Sequence, residues 1–164
     1  MKKIVLIILA IVVCFPAFAK KHKRKKKQKD TNEIISVALR HAGCFGRCRD
    51  YTIEINKNGL ATYTATRFNQ DSGVFTKNIG TAKAMEIINQ FSAYRVDTCQ
   101  DNYESRIPDL PGIVYTIKYE NKTKRINDAK YGPPFLMQLS GQIDKVVQEP
   151  VDDSWKKVTP AGGK

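Results

Sequence analysis

The feature that most constrains the fold is a pair of alternating segments joined by Asn58-Gly59. In "YTIEIN", residues 51–56, apolar and polar side chains alternate with the period of two that is typical of a half-buried β-strand. Asn58-Gly59 supplies the positive φ angles of a tight hairpin turn, and "LATYTATRF", residues 60–68, returns as the partner strand. The segment therefore predicts an antiparallel β-hairpin.

The same alternation recurs on both sides of this hairpin. It predicts strands in "EIISVALRH", residues 33–41, and in "GIVYTIKYE", residues 112–120. "KTKRIND", residues 122–128, can pair with the second of these, and "GVFTKNI", residues 73–79, shows a weaker strand pattern. The strands therefore extend over most of the chain.

Two segments have the helical period instead. A first helix is predicted from Thr81, which we expect to be its N-cap, and its apolar positions follow the i, i+3, i+4, i+7 rule at Ala84, Ile87, Ile88 and Phe91. A second helix opens at Pro133-Pro134, where a missing N–H costs nothing, and stops before Pro150. Its apolar side carries Leu136, Leu139, Ile143 and Val147.

The order of these elements predicts an α+β fold. We expect a mainly antiparallel sheet of about five to six strands with two helices packed on one face. Residues 31–149 are long enough for a single domain with a modest core. Residues 150–164 are expected to form a flexible C-terminal tail with one apolar anchor, Trp155.

The N-terminus has the pattern of a secretory signal peptide. Lys2 and Lys3 precede the apolar run "IVLIILAIVVCF", and Ala17-Phe18-Ala19 is a small-x-small cleavage site. The run is shorter than the about 20 residues that a transmembrane helix needs. We therefore expect residues 1–19 to be removed after Ala19 and the protein to be periplasmic or associated with the outer envelope.

A basic arm, residues 20–30, follows the predicted cleavage site and is expected to be disordered. Of the formal net charge of +12, two charges belong to the signal and eight to the arm, so residues 30–164 carry only +2. No aromatic residue interrupts the arm to stack on a base, so we expect no specific nucleic acid partner. The basic residues are Lys20, Lys21, Lys23, Arg24, Lys25, Lys26, Lys27 and Lys29.

Such an arm adheres to polyanions, which for an exported protein are an anionic membrane surface or lipopolysaccharide. The first alternative is a solvated spacer without a partner. The second is a cytoplasmic nucleic-acid binder anchored by an uncleaved apolar segment, because positive charge after an apolar run opposes translocation.

The spacing C-x3-C of Cys44 and Cys48 has three interpretations. In an oxidising compartment a structural disulfide is favoured, and the adjacent glycines give the backbone freedom that so short a loop needs. A thiol-redox site is the enzymatic alternative, although it usually has C-x-x-C at the start of a helix. A zinc site made of His41, Cys44, Cys48 and Cys99 is the third. Under the first interpretation Cys99 stays reduced and buried.

No catalytic constellation and no calcium-loop spacing is present, so we expect a non-enzymatic binding or structural module without cofactor or metal ion. The partner would be an unknown protein or envelope component. Residues 95–111 lack periodicity, and a connection of this length in a compact domain is either functional or only partly ordered. Within it, Tyr103, Arg106 and Asp109 are the predicted partner-binding residues.

Three segments together resemble a bacterial family of exported domains of unknown function that is common in Bacteroidetes. They are "LRHAGCFGRCRDYTIEINKNGLATY", "IPDLPGIVYTIKY" and "YGPP". From Cys44 to Tyr51 the chain follows the family pattern, R-x-x-C-F-G-x-C-P-x-Y, except that Arg49 stands at the position of the proline. The residues on the pattern are Cys44, Phe45, Gly46, Cys48, Tyr51, Gly59, Tyr63, Asp109 and Pro111. The resemblance implies a Cys44–Cys48 pair and an exported context, and it implies no activity. His41 and Cys99 lie outside it, which disfavours the zinc site.

Overall fold

The computed structural model describes residues 33–44, 46–105, 110–147 and 151–158. Within them lie two helices, α1 (Thr81–Ala93) and α2 (Pro134–Asp144), and a short 3₁₀ helix (Val96–Thr98). The strands are β1 (Ile34–His41), β2 (Asp50–Asn56), β3 (Leu60–Arg67), β4 (Gly73–Asn78), β5 (Asn102–Tyr103), β6 (Ile113–Tyr119), β7 (Thr123–Asp128) and β8 (Lys156–Val158). The predicted signal peptide and basic arm lie outside the described residues.

The eight strands form one sheet in the order β5-β7-β6-β1-β2-β3-β4-β8. All pairs are antiparallel except β5 with β7, so the α+β class with a mostly antiparallel sheet is confirmed. The six strands predicted from alternation are all present, and so is the hairpin at Asn58-Gly59.

The predicted number of five to six strands is wrong, because β5 and β8 were missed. β5 lies in the aperiodic segment 95–111, and β8 lies in the expected C-terminal tail. Strands of two and three residues are too short to show a period. They form because the sheet edges present unpaired backbone groups, which β5 and β8 satisfy in part.

The core lies between the sheet and the helices. One row of fully buried or nearly buried side chains crosses five neighbouring strands in register: Tyr115, Leu39, Ile53, Tyr63 and Phe75. Both helices bury their apolar sides in the same cluster, through Ala84, Ile87, Ile88 and Phe91 of α1 and Leu136, Leu139 and Ile143 of α2. The helical periodicity read from the sequence thus identified the core positions, although Val147 packs beyond the end of α2.

The hairpin turn packs directly on the start of α1. Gly59 has φ +94°, and a Cβ there would lie 2.6 Å from the carbonyl carbon of Gly80, so both the backbone and the space require glycine. Thr81 is not the N-cap as predicted. Gly80 occupies that position, because the Thr81 hydroxyl donates instead to the carbonyl of Asn58, 3.3 Å away.

No helix within the described ranges is long and apolar enough to cross a membrane.

Candidate ligand-binding site

A disulfide joins Cys44 and Cys48 in the turn between β1 and β2, with 5.5 Å between their Cα atoms. The backbone N–H of Gly46 donates to the Cys44 sulfur at 3.3 Å. The segment after Cys48 is β2, so no helix N-terminus is present there to stabilise a thiolate. The geometry therefore supports a structural role, in which the bridge fixes how the chain passes from one strand to the next.

An ion-pair cluster on Asp50 supports the same turn. Asp50 is buried, and its carboxylate accepts hydrogen bonds from the Arg40 guanidinium, the shorter at 3.2 Å. A guanidinium nitrogen of Arg67 lies 3.8 Å from the same carboxylate, and the side-chain amide of Asn69 donates to the Asp50 carbonyl at 2.7 Å. The ends of β1, β2 and β3 are therefore joined where the disulfide turn leaves the sheet.

The opposite side of these strand ends carries a cluster formed by His41, Tyr51 and Asp144. The His41 and Tyr51 rings stack with centroids 4.5 Å apart. The carboxylate of Asp144, the last residue of α2, lies 3.0 and 3.1 Å from Nε2 of His41 and accepts the Tyr51 hydroxyl at 3.2 Å. This cluster connects the end of α2 to the sheet beside the disulfide turn.

The contact with Asp144 assigns a hydrogen to one nitrogen of the imidazole. A carboxylate only accepts hydrogen bonds, so Nε2 of His41 must carry the hydrogen. Nδ1 has no hydrogen-bond partner among the described residues. Nδ1 can therefore accept a hydrogen bond when the ring is neutral and donate one when the ring is an imidazolium.

The His41 ring also lines a cavity of about 270 Å³ between α2, the end of β7 and the start of β6. Its apolar wall is formed by Pro111, Ile113 and Met137. Tyr115 also lines it, with its hydroxyl turned to the carbonyl of Leu136 at 2.8 Å. Its polar groups are His41, Asp128 and Lys130. Apolar walls with a few convergent polar groups are typical of small-molecule sites.

The turn after β7 places Asp128 and Lys130 in this wall. Oδ1 of the buried Asp128 accepts the backbone N–H groups of Tyr131 and Gly132, at 3.0 and 2.9 Å. Lys130, inside this turn, has φ +68°, a left-handed conformation that is unfavourable for a residue with a side chain. A Cβ at Gly132 would lie 2.9 Å from Leu136 and 3.1 Å from Tyr103, so the turn packs tightly on its neighbours.

Burial is the main cause that raises the pKa of the Tyr115 hydroxyl well above its usual value. The negative charges of Asp128 and Asp144 raise it further, although a hydrogen bond with Ser140 lowers it. Tyr115 therefore remains a neutral donor on the floor of the site across the physiological pH range.

The predicted partner-binding residues lie beside this cavity only in part. Tyr103 is the last residue of β5, and together with Glu104 and Gly112 it lines a smaller neighbouring cavity of about 140 Å³. Arg106 and Asp109 lie outside the described residues. Sequence reasoning missed Asp128, Lys130 and Asp144, although the "YGPP" turn after a strand marked where two of them lie. It named His41 only as a zinc ligand.

Cys99 is a free, half-buried thiol. Burial raises its pKa, against a lowering effect of a hydrogen bond with Tyr103, so the thiolate is disfavoured. The free thiol agrees with the reduced state expected for Cys99, but the side chain is less buried than expected. The zinc interpretation does not fit this geometry: Cys44 and Cys48 are bonded to each other, and the described residues contain no group of three or more His, Cys, Asp or Glu that could hold a metal ion.

Fold and site together define a small α+β domain with a disulfide-closed turn beside a mixed polar and apolar cavity. Residues 35–147 match the model of a family described as a domain of unknown function, DUF6438. The match covers more than half of the chain, so the protein belongs to this family. This agrees with the resemblance to a family of unknown function seen in the sequence. No curated protein and no solved structure matches the chain.

Proposed function

We propose that the protein is an exported, non-enzymatic binding module whose ligand site is the cavity beside the disulfide turn. The observation that carries the proposal is a convergence. His41, the segment from Pro111 to Tyr115 and the turn that carries Asp128 and Lys130 are far apart in sequence, and all three line this cavity. They are also the three places where the resemblance is concentrated.

The framework of the cavity favours binding because it is held in place before a ligand arrives. The disulfide and the Asp50 ion pairs hold the strand ends, and Asp144 connects α2 to His41 and Tyr51. Asp128 orders the turn that carries Lys130. A site that is already ordered loses little side-chain and loop entropy on binding, and this improves affinity.

Binding is favoured over catalysis by the residue types in the wall. The His41–Asp144 pair resembles the orienting half of a nucleophile-activating arrangement. However, no Ser, Thr or Cys is among the described residues that line the cavity.

The competing function is thiol redox chemistry at Cys44 and Cys48, which the strand after Cys48 does not support.

A cavity-filling substitution tests the site. The full chain and its Met137→Trp variant would be equilibrated with a small-molecule extract, washed by ultrafiltration and denatured, and the released compounds identified by mass spectrometry. Met137 lines the cavity and is 61% exposed, so the variant should fold. We expect compounds that the wild type retains and the variant loses.

The matched control is Leu60→Trp, a similarly exposed position at the start of β3. It should retain the same compounds as the wild type. Equal retention by wild type and Met137→Trp would contradict the proposed site. Reduction of insulin by the wild type, abolished in Cys44→Ser, would instead establish the thiol oxidoreductase.

A further inference from the structure

Asp128 is a buried carboxylate without a cation. The residue is only 6% exposed, and Oδ1 is engaged by two backbone N–H groups. Among the described residues, Oδ2 accepts no hydrogen bond and no Lys, Arg or His forms an ion pair with Asp128. A buried charge is costly unless it is paired, and this carboxylate lines the cavity. A ligand cation in the cavity would supply the missing partner.

Lys130 presents the opposite charge in the same wall. Its ammonium makes no ion pair with any described carboxylate, including that of Asp128 two residues before it. The left-handed backbone of Lys130 is held by the Asp128 turn, so the position of this residue is set by the fold. The cavity therefore contains one negative and one positive group that do not neutralise each other. His41 adds a polar ring whose Nδ1 is available.

Neither charge alone suits the whole site. A simple carboxylate would pair with Lys130 and leave the buried Asp128 without a cation, whereas a simple amine would pair with Asp128 and leave the exposed Lys130 in contact with solvent alone. Leaving the desolvated Asp128 carboxylate unpaired costs more than a good contact gains, so the ligand must carry a cation, and only a ligand that also carries an anion pairs with Lys130 as well. The remaining wall of Pro111, Ile113 and Met137 is apolar and requires an apolar group on the same ligand.

We propose that the cavity binds a zwitterionic α-amino acid with an apolar side chain, which deepens the proposed function and rests on it. The ammonium group lies against Asp128, and the carboxylate lies against Lys130 and His41. The side chain packs against Ile113 and Met137. A volume of about 270 Å³ is just below the range of about 300–1,000 Å³ for drug-sized ligands, so it fits a ligand of this smaller size.

The test uses the methionine methyl groups of the full chain. The three methionines are Met1, Met85 and Met137, and Met137 is the one that lines the cavity. With ¹³C-methyl labelling, L-leucine should shift the Met137 resonance, assigned by Met137→Leu, and leave that of Met85 unchanged. The truncated probes 4-methylpentanoate and 3-methylbutylamine should each bind at least about tenfold more weakly, because each lacks one charge.

Two variants identify the charged partners. Asp128→Asn keeps an Oδ1 acceptor for the turn, and Lys130→Met keeps the length of the side chain; both should weaken leucine binding at least about tenfold. Lys156→Met, on β8, is the control and should leave binding unchanged. Unchanged binding in Asp128→Asn or in Lys130→Met overturns the proposal. So does equal binding of leucine and a truncated probe.

The failure of this inference is distinguishable from the failure of the proposed function. If none of the three probes moves the Met137 resonance while Met137→Trp still abolishes retention of extract compounds, the site stands and the amino-acid ligand is overturned. If none of the probes moves the Met137 resonance and Met137→Trp retains the same compounds as the wild type, both proposals are contradicted.

Discussion

At the scale of single residues, Glu54 provides a pH-dependent contribution to stability. It lies on the side of the sheet away from the helices, where Lys118 and Ser36 each donate to its carboxylate at 2.8 Å. Burial raises the pKa of Glu54, but the hydrogen bonds from Lys118 and Ser36 outweigh this effect, so the folded pKa lies below the usual value of 4.5. The stabilisation is therefore present above about pH 4.5 and is lost as the pH falls through the folded pKa.

We expect Glu54→Gln to lower the free energy of unfolding at pH 7 by less than about 1 kcal/mol, because the pair is partly exposed and screened by solvent. Urea unfolding of both proteins at pH 7 and pH 3 measures this. The difference between them should shrink at pH 3, where a larger fraction of Glu54 is protonated than at pH 7. Glu86→Gln, in the exposed helical pair with Lys83, is the control. A difference that stays constant or grows at pH 3 would refute the assignment.

At the scale of elements, the contributions of the disulfide turn and of the strand β8 to stability can each be tested by substitution. Cys44 and Cys48 enclose only three residues, so the bridge removes little entropy from the unfolded chain. We expect the double variant Cys44→Ser/Cys48→Ser to lower the free energy of unfolding by about 2 kcal/mol, measured with urea. Cys99→Ser is the control. Peptide mapping of the unreduced protein that links Cys99 to either cysteine would exclude the pairing.

The short strand β8 depends on Trp155, the residue before it. Trp155 is 7% exposed, its ring contacts Tyr63 edge-on with centroids 6.3 Å apart, and Lys77 lies over its face. Trp155→Ala should therefore cost about 3–5 kcal/mol of stability, as truncations of large buried aromatics do. Thermal unfolding measures this, with the exposed Val158→Ala as a neutral control. A loss below about 1 kcal/mol would show that this segment is not part of the core.

At the scale of the whole molecule, location and adhesion remain proposals that rest on the N-terminal sequence. We propose export with cleavage after Ala19, and the disulfide fits an oxidising compartment. Intact mass of the purified protein decides it: a mature start at Lys20 fits export. Retention of residues 1–19 would favour the anchored, cytoplasmic nucleic-acid binder.

The basic arm, residues 20–30, gives the last prediction. Its eight basic side chains should hold the protein on anionic vesicles with about 1 kcal/mol per charge at best. This binding should fall steeply between 0.1 and 1 M salt, since the Debye length shrinks from about 10 to about 3 Å. Vesicle co-sedimentation of the full chain and of a variant without residues 20–29 measures it. If the shortened variant still binds at 0.5 M salt, the arm is not the adhesive element.

The sequence by itself determined the elements whose signal is local. Alternation identified six strands, the 3.6-residue period identified both helices and their core residues, and Asn58-Gly59 identified the hairpin. Each of these depends on neighbouring residues in the chain, so the pattern is visible without the fold. The spacing of Cys44 and Cys48 is a local signal of the same kind, because the two bonded residues are separated by only three others.

Only the tertiary structure decided what depends on residues distant in sequence. β5 and β8 exist because sheet edges accept them, and Gly80 replaced Thr81 as the N-cap because the hairpin turn occupies the threonine hydroxyl. The candidate site has the same origin. His41 meets Asp144 across more than 100 residues, and Asp128 and Lys130 join His41 only because the end of β7 and α2 line the same cavity. No periodicity records such contacts, since they arise from how the elements pack.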